Sequence, residues 1–198
     1  MKRYILAITG ASGSIFGIRL LEELLKSAEV HLLISQNTFP IIAEETGSDW
    51  SGDTERRLRT HFATDRLFFF EDRIMHAPAA SGSFRTDGMF VVPSTMKTLA
   101  GIASGYANNL IERAADVTIK EKRPLLLAPR EMPFSAIHLE NMLKLSRIGV
   151  IIAPPVPAFY HRPDSLDQMI DFMVGKWLDQ FGIDHTLFRR WGSKDRDE

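Results

Sequence analysis

The stretch Pro93–Arg113 gathers the residue types best suited to holding a charged ligand. Ser94, Thr95 and Thr98 supply hydroxyls and Lys97 a cation, just where the apolar run Met89–Val92 gives way to a helical pattern. Unbonded N–H groups and the positive end of the helix dipole make such a helix start a favourable place for an anion. The residues that follow, Ala100, Gly101, Ala103, Ser104 and Gly105, are small enough to let another surface approach closely. Together these features point to a phosphate-bearing ligand and a contact between subunits.

Four further clusters carry chemistry. Thr9-Gly10-Ala11-Ser12-Gly13-Ser14-Ile15-Phe16-Gly17 is a strand, a glycine loop and a helix start, a pattern that lets backbone approach a phosphate. A dinucleotide site would want an acidic residue after the second strand, where Ser35-Gln36-Asn37 stands instead. No tyrosine has a lysine four positions later, so the short-chain reductase pattern is absent, and a tight turn without a ligand stays open. Arg113 and Lys120 are seven apart and share a helix face, where two cations could bind phosphate. Lys120–Arg123 also reads as a solvated helix end. Arg130-Glu131 follows Leu125–Pro129 and is either a structural ion pair or an anion holder beside a proton-moving carboxylate. Phe159–Pro163, after Pro154-Pro155-Val156-Pro157, offers a phenol, an imidazole and a cation in a stiff loop, or a turn packed by an aromatic. Alone, Lys176 is an ordinary surface lysine, Trp191 a packing residue or a lid, and His138 a helix histidine. No spacing resembles a zinc site, and no metal is expected.

The elements that must position these residues are short and alternate in type. Apolar runs at Tyr4–Ile8, Val30–Ile34, Leu67–Phe70, Met89–Val92, Leu125–Ala128 and Val150–Ala153 read as strands. Helical patterns lie near Ile15–Ser27, Phe39–Thr46, Lys97–Ser104, Asn108–Lys122, Ser135–Arg147 and Ser165–Phe181. This alternation predicts an α/β protein with a mostly parallel sheet covered on both faces. Nearly every strand is followed by a candidate functional cluster, and in a parallel sheet those clusters meet along one edge. Gly47–Asp65 is polar and weakly patterned and reads as a surface excursion; the charged tail at about 192–198 is expected to fray.

The chain of 198 residues suits one domain, and its net charge of −1 gives no electrostatic push toward nucleic acid. Cysteine is absent, which excludes disulfides, thiolate metal sites and a cysteine nucleophile. No apolar run reaches the roughly 20 residues of a membrane span. A cytoplasmic setting is expected by default.

These segments, with Ser81–Met89, His138–Leu143 and Pro154–Pro163, resemble the flavin prenyltransferases of the UbiX type, close to proteins once labelled the B subunit of phenolic acid decarboxylases. The resemblance runs from Met1 to about Trp191. It implies a Rossmann-like (flavodoxin-like) three-layer sandwich in a large homo-oligomer, often a dodecamer, with sites at subunit interfaces. It implies alkylation of reduced FMN by dimethylallyl phosphate without a metal, giving a prenylated flavin for a separate UbiD-type decarboxylase. By position, Gly10, Ala11, Ser12, Ser35, Ser94, Thr95, Met96, Lys97, Thr98 and Arg130 would contact FMN. Arg113, Lys120, Arg130, Tyr160 and Lys176 would surround the prenyl phosphate, with Glu45 and Trp191 as further pocket positions. Ser12 and Glu131 would form the proton-transfer pair. Lys176 stands where many relatives have arginine, and Ser94 where many have cysteine. The runner-up readings are a flavin-dependent decarboxylase of the peptidyl-cysteine or phosphopantothenoylcysteine type, and a non-catalytic FMN-binding accessory subunit.

Overall fold

The computed structural model describes residues 1–192, so the expected frayed tail lies, from Ser193 onward, outside the described residues. The six apolar runs become six strands of one parallel sheet: β1 (Lys2–Ile8), β2 (Ala28–Ile34), β3 (Leu67–Glu71), β4 (Gly88–Ser94), β5 (Leu125–Pro129) and β6 (Ile151–Ile152). Their order is β3-β2-β1-β4-β5-β6. All residues of β4 and β5 are buried, which is why these runs are apolar throughout rather than alternating. The helices are α1 (Ser14–Leu25), α2 (Phe39–Thr46), α3 (Thr54–Phe62), α4 (Met96–Ser104), α5 (Leu110–Lys120), α6 (Ala136–Arg147) and α7 (Leu166–Asp179).

Strand alternation sorts the core. Ile5, Ala7, Leu33, Met89, Val91, Leu125 and Leu127 form one cluster with Leu99, Ile102, Leu110, Ala114 and Leu145 of α4, α5 and α6. On the other face α1 lies so close that a Cβ at Gly17 would stand 2.4 Å from the Val92 carbonyl oxygen and 2.9 Å from Ile8. The result is a Rossmann-like, flavodoxin-like three-layer sandwich. Its strand order reverses between β1 and β4, so the loops leaving those strands diverge and open a crevice at the carboxyl edge.

Two expectations are corrected. The segment Gly47–Asp65 is not a featureless excursion but contains α3, capped by Asp53 accepting from the Arg56 N–H at 3.3 Å and braced by Arg59–Glu55 at 2.7 Å. The chain does not leave the sheet at Pro93, because β4 continues to Ser94 through a register shift between Val91 and Ser94. One small residue of α4 serves packing inside the chain. A Cβ at Gly101 would stand 2.8 Å from Glu112 Oε1, so this glycine makes room for a buried carboxylate of α5.

The chain divides into two compact units, Met1–Pro155 and Val156–Glu198. The first carries the whole sheet. In the second, α7 has Gly175 where a Cβ would meet Phe188 and His185 at 2.5 and 2.6 Å. Among the described residues, no helix is long and apolar enough to cross a membrane. Gly17→Ala should lower stability by about 1–3 kcal/mol, because the backbone oxygen of Val92 cannot move aside without disturbing β4. Urea unfolding measures this, and an unchanged midpoint would show that α1 can shift freely.

Candidate active site

A buried threonine joins the two loops that flank the crevice. Thr9 Oγ1 donates to the Pro93 carbonyl at 2.8 Å and accepts from the Thr95 N–H at 2.8 Å. Thr9 directly follows β1 and Thr95 caps α4, accepting from the Thr98 N–H at 3.1 Å. The loop after β5 joins them. The Arg130 N–H donates to the Ser94 carbonyl at 3.2 Å, and Arg130 Nε donates to the Ser12 carbonyl at 3.1 Å. After β2, the Ser35 N–H bonds the Ile8 carbonyl at 3.1 Å, and its hydroxyl lies 2.7 Å from Thr38 Oγ1. Gly10, Ala11, Ser12, Ser35, Ser94–Thr98 and Arg130 therefore share one rim, as the pattern of clusters predicts. Thr9 and Thr38 are structural members to which the sequence reading gave no role of their own; a hydroxyl just past an apolar strand was the available signal.

The first helix start already has an anion. Glu45, from α2, accepts from the Gly13 N–H at 2.9 Å, the Ser14 N–H at 2.8 Å and the Ser14 hydroxyl at 2.7 Å. The Ser12 hydroxyl bonds it as well. Partial burial opposes ionisation of Glu45, but these donors outweigh it and hold the carboxyl below the usual range. Gly13 adopts φ 98°, a left-handed conformation suited to glycine, and this turns its N–H toward Glu45.

Other predicted residues are placed differently. Arg130 and Glu131 form no ion pair, which removes the structural reading of that pair. Glu131 is exposed and accepts from the Met132 N–H at 3.1 Å. Among the described residues the terminal nitrogens of Arg130 have no protein partner. Lys97 reaches the buried Glu112 at 3.2 Å while most of its side chain stays in solvent. Arg113 Nε binds the Ala80 carbonyl at 3.1 Å, and its Nη1 pairs with Asp116 at 2.8 Å. Lys120 pairs with Glu121 at 2.7 Å and stands beside Gly82.

The shared face of Arg113 and Lys120 is real, since both meet the 80–82 segment. Their heights differ by about 10 Å along the helix. Leu110, at the start of α5, bonds the Asp72 carbonyl just past β3, whereas the chain beyond Lys120 bonds the start of β4 through Pro124 and Met89. Lys120 therefore lies toward the amino edge of its own sheet, away from the rim that holds Arg130. Within the first unit Lys120 and Arg130 thus stand toward opposite edges of the sheet.

In the second unit, Tyr160 meets Trp191 edge-on at 5.6 Å, and Trp191 is 85% exposed. Lys176 is exposed on α7. Among the described residues, no group of three or more His, Cys, Asp or Glu side chains could hold a metal ion.

The rim invites comparison with known proteins. A family model described as Flavoprotein matches residues 1–176. The chain is 49% identical over 191 residues to the flavin prenyltransferase UbiX of Methanocaldococcus jannaschii, covering 96% of this chain and 99% of that one. The crystal structure of AnUbiX (PadA1) in complex with FMN and dimethylallyl pyrophosphate is similar with a TM-score of 0.89 and 43% identity, over 98% of this chain and 99% of that one. A dodecameric FMN-dependent UbiX-like decarboxylase from Escherichia coli O157:H7 matches with a TM-score of 0.87 and 46% identity, over 96% of this chain and all (100%) of that one.

Because the folded Glu45 titrates below its unfolded value, its contribution is full above the unfolded pKa and is lost as pH falls through the folded one. Glu45→Gln should therefore cost about 1 kcal/mol near neutral pH and less in acid. Unfolding midpoints from neutral pH down to about pH 3 check this. A deficit that stays constant across that range would remove Glu45 as the titrating group.

Proposed function

Because the chain belongs to the flavoprotein family, and within it to the UbiX flavin prenyltransferases, we propose that it transfers a dimethylallyl group from dimethylallyl phosphate to reduced FMN, releasing phosphate and adding a fourth ring to the flavin. The carrying observation is the rim on which Gly10–Ser12, Ser35, Ser94–Thr98 and Arg130 converge. Its donor set fits FMN. Backbone at Gly10 and Ala11 and the hydroxyls of Ser12, Ser35 and Thr95 suit a polar flavin edge and ribityl chain. The start of α4 at Met96 and the unengaged end of the Arg130 guanidinium suit a phosphate. Ser94 is fully buried and its hydroxyl reaches the Thr95 carbonyl at 3.4 Å, so it shapes the floor beneath them. Lys97 and Thr98 complete that helix start.

When bound, reduced FMN supplies the nucleophile. The chain's own residues handle the charge and the protons. Cleavage of the allylic C–O bond leaves negative charge on the departing phosphate, which Arg113, Lys120, Arg130 and Lys176 stabilise with the Tyr160 phenol. Lys176 acts as a point charge rather than a fork. The Trp191 indole offers an electron-rich face to the prenyl cation. Glu131 protonates the leaving phosphate and later helps remove the proton lost on ring closure, with Ser12 as its partner. Arg130 holds the Ser12 loop to the strand end that bears Glu131. The Glu45 carboxylate orients the Ser12 hydroxyl.

In our reading, assembly brings Lys120 to a site on another copy. Met132, Ile137, Leu139, Leu143 and Ile148 expose between 51% and 88% of their surface, and Leu145 is the buried residue of α6. So much exposed apolar surface on one helix and its flanks marks a protein contact. The protein forms a homo-oligomer, a dodecamer in the family pattern, in which Arg113 and Lys120 of one copy serve the site of another. The product serves a UbiD-type decarboxylase, and the reaction is cytoplasmic.

Anaerobic incubation with reduced FMN and dimethylallyl phosphate should yield a flavin heavier by one dimethylallyl unit. Bound flavin of unchanged mass would overturn prenyl transfer. Glu131→Gln should retain FMN but turn over roughly a hundredfold more slowly, and a wild-type rate would exclude Glu131 from proton transfer. Paired Ile137→Asp and Leu143→Asp substitutions should give a smaller species in sedimentation and abolish turnover. A fully assembled double variant would clear α6 of the interface.

A further inference from the structure

Helix α5 ends in a tight reversal. The Lys122 N–H bonds the Ile119 carbonyl at 3.0 Å and the Arg123 N–H bonds the Thr118 carbonyl at 2.9 Å. Lys122 sits at φ 55° and Pro124 follows, so the helix stops by a left-handed residue. The reversal sends Arg123 back along α5, where it is half-buried rather than solvated. Its Nη1 donates to the Phe84 carbonyl at 2.8 Å and its Nη2 to the Gly82 carbonyl at 2.7 Å. One planar fork thus holds two carbonyls at once. Arg113 Nε binds the Ala80 carbonyl at 3.1 Å from the other end of α5. On the far side, Arg3 Nη1 donates to the Arg85 carbonyl at 3.2 Å, and its guanidinium lies 4.7 Å from the centre of the Phe84 ring. Residues 80–85 therefore form a strap tied to both α5 and β1.

Lys120 stands against this strap at Gly82. A Cβ there would lie 2.9 Å from Lys120 Nζ and closer still to Glu121 Oε1. The Lys120–Glu121 pair, at 2.7 Å, occupies space that only a glycine leaves. With 47% of the Lys120 side chain exposed, packing on its own helix does not fix the ammonium. A lysine is a point charge on a flexible stem, so its direction has to come from a neighbour. The strap is that neighbour, and Arg123 holds the strap at the carbonyl of Gly82 itself.

We propose that Arg123 is a positioning residue for prenyl transfer: by clamping the strap at Gly82 it aims Lys120 at the phosphate bound on another copy. The proposal rests on the prenyl-transfer reading and on the place of Lys120 in it. Arg123→Gln should lower kcat/KM for dimethylallyl phosphate roughly ten- to a hundredfold. Its affinity for FMN should stay within about twofold. Arg123→Lys, which can hold one carbonyl but not two, should restore part of the loss. In the Lys120→Met background, Arg123→Gln should cost less than about twofold more, because its effect passes through Lys120. Gly82→Ala should reproduce the loss with an unchanged unfolding midpoint, since only the ends of flexible side chains must give way. It takes the place of Arg123→Gln in the cycle if that variant does not assemble. Losses that multiply in the double variant, an equal loss of FMN affinity, or full turnover by Arg123→Gln or Lys120→Met would overturn the proposal. If the wild type transfers no prenyl group, prenyl transfer fails. The same cycle, read on the binding of inorganic phosphate to the FMN-loaded protein, then decides: non-additive losses uphold the clamp, and multiplied or absent losses overturn it.

Discussion

The Thr9 hydroxyl is the tie on which the rim depends. It gives its proton to the Pro93 carbonyl and takes one from the Thr95 N–H, both at 2.8 Å, at the point where the strand order reverses. Connections on either side of that point run in opposite directions, and the β1–β4 ladder ends at Ala7 and Val91, with the Thr9 N–H reaching the Pro93 carbonyl at 3.3 Å beyond it. The end of β4 adds to the difficulty, because Pro93 has no N–H to donate and the register slips before Ser94. A buried hydroxyl that is donor and acceptor at once satisfies both strand ends and sets the start of α4 beside that of α1. Arg130 then attaches the third loop to this pair through Ser94 and Ser12.

With the two helix starts side by side, the chain treats them differently. Glu45 neutralises the first from within, which fixes the Ser12–Ser14 turn and opposes a second anion there. The start of α4 is capped by Thr95, with Lys97 braced on Glu112 at its flank, and this end together with Arg130 keeps its attraction for external phosphate. One internal carboxylate thus leaves the α4 and Arg130 side of the crevice the more favourable of the two for an anion.

The sheet also explains why one copy of this chain does not gather all its cations. A helix that packs antiparallel to the strands must descend from the carboxyl edge to the amino edge. Arg113 at the top of α5 and Lys120 at the bottom consequently cannot serve one rim in one chain. The exposed apolar side chains of α6 provide a way for neighbouring copies to bring such residues to each other's sites.

Strand positions were legible because β4 and β5 are buried on both faces and must be apolar throughout. The convergence of the loops after β1, β2, β4 and β5 was legible too, because parallel strands place every carboxyl end on the same edge. Helix α3 was hidden, since Leu58 is its one buried apolar residue and the apolar period is nearly empty; only the Asp53 cap and the Glu55–Arg59 spacing betrayed it. A seven-residue interval put Arg113 and Lys120 on one face but carried no information about their height against the strands. Nothing local announced that Glu45 would reach Ser14, 31 positions earlier, or that Gly101 would admit Glu112. The sequence by itself determined which segments are strands and helices and which chemical groups follow each strand, because those follow from local periodicity and connection rules. Tertiary structure alone decided which charges are already paired and which edge each one faces, because that depends on contacts between segments remote in the chain.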